Sequence, residues 1–106
     1  MRRFENKVAI VTGAVCVGEG WGNGRAMAVR LAQEGAKVLA VDLEPERLAE
    51  TLARAGDAAS SIVTCTCDVT QAASVEAMVA TCLERFGTLD ILINNVAARP
   101  RAARWK

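Results

Sequence analysis

Short apolar runs and longer stretches of helical period alternate along the chain. "KVAIVTG" is a β-branched run that ends in a turn, and Gly24 to Glu34 follows with Ala28, Leu31 and Ala32 on one face and Gly35 as the stop. That pattern predicts strand, loop and helix. "AKVLAVD" predicts a second buried strand, after which Pro45 suits the first turn of a helix carrying Leu48 and Leu52 and ending near Gly56. "SIVTCTCDV" alternates, so Cys65 and Cys67 share one face of a third strand and Thr64 and Thr66 the other. Thr70 is then predicted to cap a helix whose apolar stripe is Val75, Met78, Val79, Cys82 and Phe86, stopped by Gly87. "LDILIN" predicts a fourth strand, with Ile91 and Ile93 on one face and Leu92 on the other, beneath a covering helix.

Strict alternation of apolar strands with helices predicts an α/β fold, because parallel neighbours need crossovers and these crossovers are helical. Right-handed crossovers make it a doubly wound, Rossmann-like parallel sheet of strand order 3-2-1-4. Residues 1–96 form this domain and residues 97–106 a basic irregular tail. With 106 residues, 52% hydrophobic and 24% charged, the chain is expected to build one soluble globular core. The apolar run near the start, Val8 to Val11, is too short for a secretion signal, and no stretch approaches membrane-spanning length. A cytoplasmic protein without a membrane partner is the expectation.

Cysteines 16, 65, 67 and 82 contain no Cys-x-x-Cys pair, and the chain has no histidine. Neither a metal site nor a disulfide framework is indicated, and free buried thiols are expected. The net charge of +1 hides an imbalance, since Arg99, Arg101, Arg104 and Lys106 all lie in the last eight residues. Four charges without interleaved stacking aromatics predict a solvated terminus rather than a nucleic-acid arm.

The chemistry is concentrated in "VTGAVCVGEGWGNGRA", Val11 to Ala26, which holds five glycines between the first strand and the first helix. A dinucleotide pyrophosphate needs backbone N–H groups from the first turn of a helix, and glycines let that backbone come close. A glycine-rich turn without ligand would show the same spacing, so the context of strand and helix matters. Thr12-Gly13 followed by Gly22-x-Gly24-Arg25-Ala26 resembles the T-G-x-x-x-G-x-G loop of the short-chain dehydrogenase/reductase family. The resemblance extends over residues 7–96, with Asp42 at the end of the second strand, "CDV" at Cys67 to Val69 and "NNV" at Asn94 to Val96. It implies that Gly13, Gly20, Gly22 and Gly24 bind the cofactor phosphates and that Asp42 accepts from the adenosine ribose. It also implies that Asp68 and Val69 line the adenine and that Asn94 stands on the nicotinamide side. Asp68 as a capping neighbour of Thr70 is the competing reading of that position.

Gly24 lies eighteen residues before Asp42 and eleven before Gly35, the family's spacing, so the loop is lengthened by five residues rather than broken. Within the insertion Glu19 is expected to point away from the phosphates, and Cys16 to be an inert loop residue or a reactive thiol near a helix N-terminus. Ala97 stands where the family usually has glycine. A carboxylate at Asp42 disfavours a 2′-phosphate, so NAD is the expected cofactor.

The family's reaction implies a tyrosine acid/base, a lysine four residues later and a serine, and this chain has no tyrosine. No catalytic residue is assigned. The expected function is the NAD-binding front half of a short-chain oxidoreductase whose longer form transfers hydride between NAD(H) and an alcohol or carbonyl substrate. The alternative is a non-catalytic nucleotide-binding or subunit-association module. "VAARPRAARWK" carries no period that continues the pattern, which favours a truncated gene product. Self-association through the uncovered fourth strand is then expected.

Overall fold

The computed structural model describes residues 3–14 and 22–95. In chain order they form β1 (Val8–Thr12), α1 (Gly22–Gln33), β2 (Lys37–Asp42), α2 (Pro45–Ala55), a 3-10 turn (Gly56–Ser61), β3 (Ile62–Thr66), α3 (Ala72–Phe86) and β4 (Ile91–Asn94). The strands make one parallel sheet in the order β3-β2-β1-β4, the doubly wound α/β topology that the alternation predicts. Register places Ile10 opposite Leu39 on one side and opposite Leu92 on the other.

Every residue of β1 is buried, as is the run Val38–Val41 of β2, because helices cover both faces of these two central strands. On one face Ala9, Val11, Val38 and Ala40 meet Ala28, Val29, Leu31 and Ala32 of α1 and Leu48 and Ala55 of α2. On the other, Val8, Ile10, Leu39 and Val41 pack with Met78 and Cys82 of α3, and Val75, Val79 and Phe86 of the expected stripe join them. Cys65 and Cys67 point together into this second cluster. The three described cysteines are unbridged. Burial pushes their thiols up in pKa, so they stay protonated at neutral pH.

Four local features depart from the pattern-based expectation. Helix α1 opens at Gly22, two residues earlier than its apolar stripe indicates. The 3-10 turn after α2 has no hydrophobic period to announce it. Thr70 does not cap α3: the helix starts at Ala72 with Gln71 as a cap lacking a side-chain bond. The Thr70 hydroxyl and N–H instead donate to Asp68 Oδ1 at 2.6 and 3.0 Å, closing a local turn that keeps Thr70 ahead of the helix. Finally, Ile91 and Ile93 do pack toward the α1 side, but Leu92 is 58% exposed and no helix covers it among the described residues.

Candidate functional site

A parallel sheet delivers the carboxyl ends of all its strands to one edge. Here β2 and β3 succeed β1 in one direction and β4 lies on the other side of it, so the connections diverge between β1 and β4. Ligands of open α/β sheets bind in the crevice at such a reversal. Gly13, just past β1, has φ of +65°, a left-handed conformation that costs glycine least. Gly24 in the first turn of α1 is packed directly on it. A Cβ built on Gly24 would run into the Gly13 carbonyl and lie 2.8 Å from Asn95 Nδ2. Glycine at position 24 therefore lets the N-terminal turn of α1 seat on the end of β1.

The adjoining strand ends are tied together by hydrogen bonds. The Thr12 hydroxyl donates to Asn94 Oδ1 at 2.8 Å and accepts from the Asn95 N–H at 3.1 Å, clasping β1 to β4. Asn94 is thereby oriented through its carbonyl oxygen, which leaves the amide NH₂ directed to other partners. Asp42 ends β2, half-buried, with Oδ2 accepting from the Glu44 N–H at 3.1 Å. Asp68 is likewise half-buried, and the Thr70 side-chain and backbone bonds hold its carboxyl below the ordinary carboxylate range. It is ionised at neutral pH and able to accept further bonds. Val69 packs at the margin of the α3-side cluster. The Thr70 bonds to Asp68 occupy only Oδ1, and Thr70 itself stands outside the cap of α3.

Gly13, Gly22, Gly24, Asp42, Asp68, Val69 and Asn94 accordingly stand at or just beyond the carboxyl ends of the four strands or in the helix turn facing them. Gly20, with Val15, Cys16 and Glu19, lies outside the described residues, as do Ala97 and the basic tail. A cleft of about 480 Å³ is lined by Asn23, Ala26, Met27, Arg30 and Asn95, on the α1 side and away from Asp42 and Asp68.

Asn95, the second residue of the asparagine pair that ends the fourth strand, approaches Gly24. Two residues escaped the pattern: Arg25 and Thr51, fully buried polar residues at the interface of α1 and α2. Arg25 sits on the buried face beside Ala28 and Val29, and an apolar-stripe reading passes over a charged residue on that face.

The family model for short chain dehydrogenases matches residues 7–104. The chain belongs to the short-chain dehydrogenase/reductase family. A short-chain dehydrogenase/reductase structure from Burkholderia xenovorans superposes with a TM-score of 0.87 at 52% identity, over 94% of this chain and 40% of that one. The 1,6-dihydroxycyclohexa-2,4-diene-1-carboxylate dehydrogenase of Pseudomonas putida is 43% identical over 90% of this chain and 33% of its own length. A short-chain dehydrogenase/reductase of Burkholderia phymatum, solved with NAD, superposes with a TM-score of 0.73 at 35% identity, over 87% of this chain and 31% of that one. The chain spans about a third of the length of the curated relatives it matches. Both NAD and NADPH occur in structures of the family, which binds nicotinamide cofactors. No helix among the described residues is long and apolar enough to cross a membrane.

Proposed function

We propose that these residues form the NAD-binding front half of a short-chain oxidoreductase that transfers hydride between NAD(H) and an alcohol or carbonyl group. The observation that carries this reading is the seat of Gly24 on the Gly13 carbonyl, where a Cβ would fill the space that backbone contact requires. That close packing aims the first turn of α1 along the crevice, where unpaired N–H groups and the helix dipole favour a pyrophosphate. Gly13, Gly20, Gly22 and Gly24 would hold the phosphates. Asp42 would accept from the adenosine ribose, Asp68 from the adenine amino group, Val69 would pack on the adenine ring, and Asn94 would meet the nicotinamide-side ribose.

Asp42 also supports NAD over NADP, because a 2′-phosphate at the ribose would meet a carboxylate at short range. Calorimetry tests this. NADH should bind at least about tenfold more tightly than NADPH, a difference of roughly 1.4 kcal/mol. Equal affinities, or tighter NADPH, would remove Asp42 from the site.

The bound dinucleotide supplies the hydride chemistry. With no tyrosine in the sequence, these 106 residues are proposed to bind the cofactor without turning substrate over, and the oxidoreductase activity is proposed for a longer form. The outer edge of β4, beside exposed Leu92, is unpaired among the described residues and offers backbone groups to another strand. Self-association through it is proposed, and a monomer by light scattering at about 100 μM, far above the micromolar range where such pairing would count, would contradict it.

A further inference from the structure

Arg25 is fully buried, one residue past the glycine that packs on β1, and a charge so placed must be paired and hydrogen-bonded to be tolerated. Its guanidinium reaches away from α1 to α2. Nε donates to Thr51 Oγ at 2.9 Å, one terminal nitrogen donates to the Arg47 carbonyl at 3.3 Å, and the other stands 3.6 Å from Glu50 Oε2. The Thr51 hydroxyl accepts from Arg25 and has a single proton to give. Its nearer acceptor is the Ala14 carbonyl at 2.9 Å, against 3.2 Å to the Arg47 carbonyl. Ala14 is pinned on its other side as well, its N–H donating to the Val41 carbonyl at 3.1 Å.

The consequence is a closed base to the lengthened glycine stretch. Its entry, Gly13-Ala14, and its exit, Gly22 to Arg25, are joined by the Gly24–Gly13 packing and again by the bonds from Arg25 through Thr51 to Ala14. From this geometry we infer that Arg25 and Thr51 are positioning residues for dinucleotide binding. They hold the backbone at Ala14 so that the entrance of the extended loop keeps its alignment with the first turn of α1. The inference rests on the cofactor reading above and adds a lock that the glycine spacing alone does not contain.

Thr51→Val preserves shape and removes the hydroxyl, whereas Thr51→Ser restores it, so the pair separates the bond from packing. T51V should weaken NADH and ADP alike by about tenfold, the scale of one lost buried bond, while T51S stays near wild type. Adenosine, which lacks phosphates, should bind T51V and wild type equally by ligand-observed NMR. Amide exchange at Ala14 should quicken about tenfold in T51V with Leu39 to Val41 unchanged. If T51V does not fold, Arg25→Lys, which keeps the charge and loses the Nε donor, takes its place in the same measurements. Wild-type ADP affinity in the variant, equal loss for ADP and adenosine, or unchanged exchange at Ala14 would each overturn the lock. Failure of the wild-type chain to bind NADH would instead sink the cofactor reading, and with it the role of the lock in binding.

Discussion

The base of the glycine loop and the carboxylate rim at the ends of β2 and β3 serve the same proposed ligand by opposite means. At the base, Gly13, Ala14, Gly24, Arg25 and Thr51 act through backbone position, and three of them, Ala14, Arg25 and Thr51, have no exposed surface. At the rim, Asp42 and Asp68 are half-buried residues. A change at the base therefore reaches the ligand through the fold, whereas a change at the rim reaches it directly. The difference predicts how stability and affinity move together.

The largest effect is expected for Gly24→Ala. The new Cβ meets the Gly13 carbonyl, a backbone atom that cannot swing aside, so α1 must lift from β1. Overpacking of this kind costs about 1–3 kcal/mol. At roughly 4–8 °C per kcal/mol for a domain of this size, the melting temperature should fall by about 4–24 °C. Dinucleotide affinity should drop by about 100-fold or more, read by calorimetry, since the phosphate-facing turn moves with the helix. Stability and affinity fall together, and a variant that lost one without the other would break the contrast.

Asp42→Ala should act on affinity more than on stability. The lost bond to the Glu44 N–H is worth about 0.5–1.5 kcal/mol, so the melting temperature should fall by about 2–12 °C, roughly half the loss for Gly24→Ala. The preference for NADH should narrow from about tenfold to within about threefold, because the like charge that repels a 2′-phosphate is gone. Competition titrations with both dinucleotides check it.

The smallest effect lies at the far end of α1 and sharpens the comparison by pH. The Arg3 guanidinium and backbone N–H, with Arg30 nearby, hold the Glu34 carboxyl down at about 2. Its folded value lies below that of the unfolded chain. The stability it contributes is complete above the unfolded carboxylate value of roughly 4.3, and is lost as pH falls toward the folded one. Glu34→Gln should flatten the acid limb of melting between about pH 4.5 and 2 and leave neutral dinucleotide affinity unchanged. Added salt should shrink the effect, since the Arg3 side chain is 56% exposed.

The strand order, the buried β1 and β2, the α3 stripe and the placement of Asp42 and Gly24 were all legible in the chain. Each depends on a short-range regularity: apolar period, turn residues, or a fixed count between a helix start and the next strand end. Where a local competitor enters, the period misleads. Asp68 gathers the Thr70 hydroxyl and N–H into a turn, so Thr70 stands outside the helix with Gln71 between it and Ala72.

What the sequence by itself determined is the order of elements and which residues arrive at the carboxyl edge, because both follow from spacing along one chain. Only the tertiary structure decided what those residues touch. Arg25 and Thr51 lie 26 positions apart, and Thr51 and Ala14 lie 37 apart, so no period links them. They meet because α1 and α2 pack on the same sheet face, and a charged side chain buried there survives only by finding the hydroxyl and carbonyls that the packing brings within reach. Asn95 comes to Gly24 for the same reason: β4 pairs with β1 from the opposite end of the described chain, and the pairing, not the sequence, sets the approach.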